Sequence, residues 1–99
     1  MHVISRRTLR AFYGRPGCED AKGPLESWFY EVKHADWQTP ADIRAKYGLA
    51  SFLTDNRVVF NIGGNKYRLV VKINYPTRTV FVRFVGTHKE YDQIDAEVI

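Results

Sequence analysis

A short run of residues near the end of the sequence holds groups that can transfer protons. Residues 87–92 read Thr-His-Lys-Glu-Tyr-Asp, which contains the S/T-x-x-E capping box that opens a helix. On such a helical turn His88, Tyr91 and Asp92 share one face. Histidine titrates near neutral pH, tyrosine donates or accepts through its hydroxyl, and aspartate orients either group. The run is therefore a candidate acid–base site, with an ordinary surface turn as the alternative interpretation.

The segment that leads to this run is strongly cationic. Residues 57–89 hold seven Lys and Arg residues and no Asp or Glu. The net charge is +4 over residues 1–17, −3 over 18–56 and −4 over 90–99, so the overall +4 conceals a block of +7. This asymmetry favours a polyanionic partner, with nucleic acid as the first candidate, over a face that is merely solvated.

Hydrophobic patterning predicts helices in the first half of the chain. Residues 1–5 are β-prone, and Ser5 is a candidate N-cap for a helix over residues 6–13. Apolar side chains spaced at 3.6 residues predict the longest helix over 24–35, beginning at Pro24 or one turn earlier. Thr39, Pro40 and Asp42 open a short helix that continues to about Tyr47.

The second half changes to a period of two, which predicts four antiparallel strands. They cover residues 49–54, 57–62, 65–75 and 79–86, with turn residues between them. Ninety-nine residues allow one domain with an ordinary core. The chain therefore predicts a single α+β domain over residues 1–99: N-terminal helices packed on an antiparallel β-sheet, followed by a short C-terminal helical turn.

The turns predict which side chains share a face of this sheet. A two-residue turn at Gly63-Gly64 pairs Phe60 with Tyr67 on a core face and leaves cations on the other face. A two-residue turn at Asp55-Asn56 puts Phe52 on the cationic face, beside Val59. A four-residue connection around Pro76 pairs Val70 with Arg83 and brings that arginine to the same face. The predicted cationic face holds Arg57, Lys66, Arg68, Lys72 and Arg83, with Phe52, Val59 and Phe81 as apolar neighbours.

Such a face suits single-stranded RNA, which needs cations for phosphates and flat side chains for unstacked bases. DNA could use the same charges. In the alternative interpretation the three apolar residues lie beneath a loop or the C-terminal tail. Two arginines on adjacent strands, Arg68 and Arg83, are costly in a partly apolar surface unless they hold a phosphate or a carboxylate.

The cationic face and the proton-transfer groups together predict a metal-independent ribonuclease. RNA carries its own nucleophile, the 2′-hydroxyl, so the protein must position it, accept its proton, stabilise charge on phosphorus and protonate the leaving oxygen. We expect Arg68 and Arg83 to stabilise the phosphate. We expect His88 and Tyr91 to transfer the protons. The cations expected to bind the RNA are Arg57, Lys66, Lys72 and Lys89.

No metal, cofactor or membrane is expected. His2, His34 and His88 lack the spacing of metal ligands, and the single Cys18 cannot form a zinc cluster. No apolar run reaches the length of about 18 residues that a membrane span requires, and no leader pattern opens the sequence. One cysteine forms no internal disulfide, so we expect a cytoplasmic protein.

The string VFNIGGNKYRLVV from Val59 to Val71, followed by RFVGTHKEYD from Arg83 to Asp92, strongly resembles the HigB family of bacterial toxins in the RelE-type superfamily. The segment with Trp28, Lys33, Asp36-Trp37 and TPADI at 39–43 is also similar to that family, so the resemblance covers almost the whole chain. It implies a RelE-like fold and inhibition of translation by an mRNA interferase, generally acting on mRNA in the ribosomal A site. It also implies neutralisation by a HigA-type antitoxin with a helix-turn-helix domain, so that operator DNA is contacted only indirectly.

The resemblance also implies roles for individual residues. Arg68 takes the place of a strand arginine that binds the scissile phosphate, and Arg83 that of a second one on the following strand. His88 and Tyr91 fall in the C-terminal acid–base region, where Lys89 and Asp92 are further candidates for the proton transfer. Two other functions stay open: a non-catalytic RNA- or ribosome-binding module, and an interaction protein whose basic face serves an acidic partner.

Overall fold

Helices fill the first half of the chain and a sheet most of the second in the computed structural model, which describes residues 1–99. The helices are α1 (Arg6–Tyr13), α2 (Lys22–Lys33), α3 (Pro40–Lys46) and α4 (His88–Tyr91), and a 3₁₀ turn over Glu19–Ala21 leads into α2. The strands are β1 (His2–Ile4), β2 (Ser51–Phe52), β3 (Arg57–Ile62), β4 (Tyr67–Asn74) and β5 (Thr79–Thr87). None of the helices combines the length and the apolar character that crossing a bilayer demands.

The helices lie where local sequence signals predict them. α1 buries Leu9 and Phe12. Ser5 is its N-cap residue, as predicted, although the Ser5 side chain makes no capping hydrogen bond. At α3 the Asp42 carboxylate accepts a hydrogen bond from the backbone N–H of Thr39 at 3.1 Å, because the first turn of a helix leaves its N–H groups without partners.

The sheet has the strand order β1-β5-β4-β3-β2. Strands β2 to β5 form the predicted antiparallel arrangement, and the predicted α+β class is confirmed. The β-prone N-terminus adds β1 as a parallel edge strand, with Val3 opposite Val80. The sheet is therefore mixed, which local patterning does not show because it does not specify the partner of a strand.

The register between β3 and β4 differs from the prediction by two residues. Ile62 pairs with Tyr67 and Phe60 with Leu69, because the connection has four residues instead of the predicted two. Gly63 and Gly64 lie in that loop with φ of 62° and 70°, a backbone conformation that favours glycine. A shift of two residues keeps the side chains of β3 and β4 on their predicted faces, so Arg68 and Lys72 still point away from the helices. Lys66 is the exception: it lies in the loop and pairs with Asp20 of the 3₁₀ turn, so its predicted place on the cationic face is wrong.

The register between β2 and β3 differs by one residue, and that difference reverses a face. Phe52 pairs with Val58, and the backbone N–H of Leu53 donates to the carbonyl of Arg57 at 2.9 Å, so the loop has three residues. Phe52 therefore packs against the core beneath the helices, with the Arg44 guanidinium 4.4 Å from its ring centroid. The prediction that Phe52 lies on the cationic face is wrong.

The connection between β4 and β5 has the predicted four residues, since Asn74 pairs with Thr79 across it. A β-bulge then interrupts the ladder: Val71 pairs with Val82, but Val70 pairs with Phe84. Arg83 is the extra residue of the bulge, so its predicted pairing with Val70 is wrong. Beyond the bulge the faces of β5 exchange, and Phe84 packs on the side opposite the helices.

The main core lies between the helices and the sheet. An aromatic cluster centres on Phe60, whose ring centroid lies 5.5 Å from that of Trp28 and 5.0 Å from that of Tyr47. The aliphatic side chains of β3 and β4 that face the helices complete the core: Val58, Ile62, Leu69, Val71 and Ile73. The opposite face of the sheet is thereby left for the C-terminal residues and for ligands.

Candidate active site on the open sheet face

We call the side of the sheet opposite the helices the open face, and residues 92–99 the tail. The tail crosses the open face, where Ala96 is buried against Val59 and Val70. Of the three apolar residues predicted on this face, Val59 lies beneath the tail and Phe81 is partly exposed. We name two ends of the open face by their neighbours: the α4 end, beside helix α4, and the turn end, beside the β4–β5 turn.

Arg57 anchors the tail from below. Its side chain is buried, and its Nε donates a hydrogen bond to the backbone carbonyl of Ile99 at 2.7 Å. Its Nη1 lies 3.3 Å from a carboxylate oxygen of Asp55. A buried guanidinium needs such partners, because an unpaired charge away from water is costly. The structure thus gives Arg57 internal contacts, and among the other predicted site residues it pairs across the ladder with Lys72.

Strand register assembles the α4 end. Arg68 on β4 pairs with Gly86 on β5, and the backbone N–H of His88 donates to the carbonyl of Lys66 at 3.3 Å. His88 therefore lies next to the strand position that carries Arg68. The sequence predicted both residues for the site, and the ladder brings them together.

Asn65 positions the Arg68 guanidinium. The Nη2 of Arg68 donates to the Asn65 side-chain carbonyl at 2.6 Å, and its Nη1 donates to the Asn65 backbone carbonyl at 3.1 Å. These bonds satisfy part of the guanidinium and leave its remaining donors for an anion. Sequence reasoning missed Asn65, because an asparagine after two glycines indicates only a turn.

Helix α4 carries the predicted acid–base groups. The capping box is confirmed: Thr87 Oγ1 accepts from the N–H of Glu90 at 3.1 Å, and the Glu90 carboxylate accepts from the N–H of Thr87 at 3.0 Å. His88 Nδ1 lies 3.2 Å from a carboxylate oxygen of Asp92, one helical turn away. A carboxylate at this position can accept a hydrogen bond from an Nδ1–H and so orient the imidazole ring. Tyr91 packs partly buried against Phe84, with ring centroids 6.5 Å apart.

An ion pair joins α4 to the helical layer. The Nη2 of Arg15, just after α1, lies 3.2 Å from the Glu90 carboxylate. The N–H of Thr87 and, after it, the Arg15 guanidinium hold the pKa of Glu90 below its ordinary value. Glu90 therefore stays ionised at neutral pH and fixes α4 relative to both β5 and α1.

The other predicted cations differ in their partners. Lys66 pairs with Asp20, and Lys72 Nζ lies 2.8 Å from Asp55. Arg83 and Lys89 are exposed, and neither belongs to any of the ion pairs of the chain. No group of three or more His, Cys, Asp or Glu side chains is arranged to hold a metal ion. The exposed, unpaired cations are thus the ones most available to phosphate.

Three carboxylates of these ion pairs make the free energy of unfolding depend on pH in the acid range. The pKa of Asp20 is lowered by the Lys66 hydrogen bond and then by Tyr67, that of Asp55 by Lys72, and that of Glu90 as described. A carboxylate with a depressed folded pKa stabilises the fold above its unfolded pKa, and this contribution is lost as pH falls through the folded value. We expect the melting temperature to be nearly constant above pH ~5 and to fall steadily below pH ~4.5.

Differential scanning calorimetry across this pH range tests the expectation. Glu90→Gln provides the matched comparison, because it removes one of the three titrating groups and should flatten the acid limb. A melting temperature that rises as the pH is lowered from ~5 to ~3.5 would contradict the assignment of these carboxylates.

Gly86 is required where β5 meets α4. A Cβ atom at this position would lie 2.5 Å from the Phe84 ring and 3.3 Å from the Glu90 Cβ. We expect Gly86→Ala to lower the free energy of unfolding by about 1–3 kcal/mol, because Phe84 must leave its place between the sheet and the tail. Gly23→Ala is the control: nothing lies within 4 Å of its Cβ position in α2, so chemical denaturation should show equal or greater stability.

Helices on one face of the sheet, a cationic opposite face and a short C-terminal helix together fit a RelE-like fold. Residues 21–94 match the HigB toxin family, described as the RelE-like toxic component of a toxin–antitoxin system. The chain belongs to the HigB family, as the sequence motifs had indicated.

Curated relatives agree over nearly the full length. The mRNA interferase toxin HigB of Escherichia coli K12 is 45% identical over 94 residues, which cover 93% of this chain and 88% of that protein. The mRNA interferase HigB of Shigella flexneri shows the same identity and coverage. The mRNA interferase HigB of Escherichia coli O6:H1 is 31% identical over 96 residues, covering 95% of this chain and 91% of that protein.

Proposed function

We propose that this HigB family toxin is a metal-independent endoribonuclease that cleaves mRNA. The observation that supports the proposal is the register at the α4 end, where Arg68 pairs with Gly86, two residues before His88. Cleavage of an RNA backbone needs a cation that binds the phosphate and groups that transfer protons. A guanidinium near a histidine oriented by a carboxylate offers both. The names of the relatives, mRNA interferase HigB, support the same reaction.

In the proposed reaction the 2′-hydroxyl of one nucleotide attacks its own 3′-phosphate. The bond between the 2′-oxygen and phosphorus forms while the bond to the 5′-oxygen of the next nucleotide breaks. A base takes the proton of the 2′-hydroxyl, and an acid gives a proton to the leaving 5′-oxygen. The products are a 2′,3′-cyclic phosphate and a 5′-hydroxyl, so no water or metal ion enters the balance.

We assign the charge stabilisation to Arg68, whose guanidinium is preorganised by Asn65. Preorganised donors are effective because they need not reorient as negative charge develops on the phosphate oxygens. Arg83 is exposed in the β5 bulge and is the second proposed phosphate ligand. Bulges commonly redirect side chains next to active sites, which supports this role.

We assign the proton transfers to the exposed face of α4. His88 is the leading group, since its side chain is about half exposed and its Nδ1 faces Asp92. Tyr91 lies on the same face and is the proposed partner. Lys89 is exposed and, with Lys66 and Lys72, is proposed to contact RNA phosphates. For Arg57 we propose an indirect role, through the tail that it anchors.

Two partners follow from the proposal. The family description as a toxin–antitoxin component supports an antitoxin, for which we propose a HigA-type protein with a helix-turn-helix domain. Operator DNA would be reached only through that antitoxin. The relatives' names support mRNA as the substrate, and we propose that the ribosome presents it.

Expression in bacteria tests the function. The wild-type chain should arrest growth and produce new mRNA 5′ ends carrying a hydroxyl, and co-expression of the antitoxin should prevent both. A chain that is soluble and binds RNA but produces no new ends would instead be the non-catalytic binding module. Salt-sensitive binding alone does not distinguish the two functions, because phosphate contacts produce it in either case.

A further inference from the structure

The largest concavity of the protein lies at the turn end of the open face, away from Arg68 and α4. It is a cleft of about 460 Å³ between the β4–β5 turn and the start of β3. Its lining residues are Asn56, Lys72, Ile73, Asn74, Tyr75, Pro76 and Phe81. Of these residues only Lys72 has a role in the proposed cleavage reaction, so that reaction does not account for the cleft.

Strand register builds an aromatic platform in this cleft. Phe81 on β5 pairs with Lys72 on one side and with Ile4 of β1 on the other. Phe81 is partly exposed, and Ile4 is 41% exposed, which is high for a large apolar side chain. A flat ring beside a cation is the arrangement on which an unstacked base and its phosphate can bind together.

Two carboxamides supply hydrogen-bonding groups at the edge of the platform. The Asn74 side-chain oxygen accepts a hydrogen bond from the N–H of Thr77 at 3.2 Å, which leaves its NH₂ group to donate outward. Asn56 is exposed on the adjoining loop. A carboxamide offers both a donor and an acceptor, so it can distinguish the edges of different bases.

Lys72 is the one charged residue that lines the cleft, and its carboxylate partner has a second cation beside it. The Asp55 carboxylate is shared between Lys72 at 2.8 Å and Arg57 at 3.3 Å, so two cations face one anion. Arg83, exposed and without an ion pair, lies on β5 between this cleft and the α4 end. Lys72 is four residues from Arg68 along the same face of β4, which is about 13 Å. A short single-stranded segment can therefore contact both places.

We infer that this cleft is a nucleotide subsite of the same RNA, holding a base that flanks the cleaved phosphate. The base stacks on Phe81, Lys72 binds its phosphate, and the carboxamides of Asn74 and Asn56 contact its edge. The inference rests on the proposed ribonuclease function, and it locates sequence preference at the turn end. An acidic peptide is the competing occupant, but the carboxamides and the continuity with Arg68 through Arg83 favour a nucleotide.

Binding of noncleavable RNA provides the direct test. The probes are 2′-O-methyl RNAs from dinucleotide to hexanucleotide length, measured by fluorescence anisotropy with the full chain. Phe81→Leu should weaken binding of the hexanucleotide about tenfold and leave the dinucleotide unaffected, because loss of a stacked base costs about that much. Tyr30→Leu is the matched control, since Tyr30 is an exposed aromatic residue on α2, 62% exposed and outside the open face.

Mapping of RNA ends in cells provides the second readout. Phe81→Leu and Asn74→Ala should flatten the base preference at one fixed position relative to the cut while new ends still form. Unchanged affinity and unchanged preference in both variants would overturn the inference, as would weakened antitoxin binding with RNA binding intact. If the wild-type chain binds RNA in a Phe81-dependent way but produces no new ends, the subsite stands and the proposed nuclease function fails.

Discussion

We expect Arg68→Ala to reduce mRNA cleavage by about 100-fold or more and to relieve growth arrest while the protein stays folded. Removing one preorganised donor from developing oxyanion charge typically costs 10²–10³ in rate, and Arg68 is the guanidinium that Asn65 holds in place. Its side chain is on the open face and only partly buried, so its loss leaves the main core intact. Single-turnover cleavage of a short RNA and far-ultraviolet circular dichroism measure the two effects.

Two further variants sharpen this result. Arg68→Lys keeps the charge but loses the planar fork, so it should retain only a small part of the activity. Arg7→Ala is the matched control, because Arg7 is an exposed arginine of α1 on the helical layer. Equal activity of Arg68→Ala and Arg7→Ala would refute the assignment of Arg68 to the scissile phosphate.

We expect His88→Ala to lower the cleavage rate about 10²–10⁴-fold, the usual contribution of a positioned acid or base. The effect is on the chemical step, because His88 is exposed on α4 and contributes nothing to the buried core. Added imidazole should restore part of the activity, which loss of packing or of binding would not allow. Asp92→Asn should give a smaller loss, since Asp92 orients His88 through Nδ1.

Tyr91→Phe and Lys89→Gln complete this comparison. Tyr91→Phe keeps the ring against Phe84 and removes only the hydroxyl, so any loss of rate reports proton transfer by that group. Lys89→Gln should change RNA affinity more than the rate of the chemical step. A larger loss in Tyr91→Phe than in His88→Ala, without rescue by imidazole, would transfer the leading role to Tyr91.

Local patterning predicts most of the elements of this fold. The apolar spacing in α1 and α2 corresponds to buried side chains such as Phe12 and Trp28, because a helix that packs on a sheet needs one continuous apolar stripe. In each of the helices α3 and α4, the capping residues lie within three residues of one another in sequence. Both helices begin where these residues predict. Capping residues and apolar spacing act over a few neighbouring residues, so they can be recognised without knowledge of the tertiary contacts.

The predicted pairing registers of the β-strands differ from those in the structure. Loop length sets the register, and only an odd difference changes a face. The two-residue difference at Gly63-Gly64 therefore left Arg68 on the open face, whereas the one-residue difference at Asp55-Asn56 moved Phe52 into the core. The bulge at Arg83 has no local signature, because it depends on how β5 fits against its neighbours.

The amino-acid sequence by itself determined the α+β class, the family, the cationic block and the capping box at residues 87–90, because residue type, spacing and turn signals specify these. Only the tertiary structure decided that Arg57 holds the tail, that Asn65 holds Arg68, and that Phe81 with Ile4 borders a cleft. Each of these depends on contacts between segments distant in the chain, such as Arg57 with Ile99, and no local pattern encodes the ladder that brings such segments together.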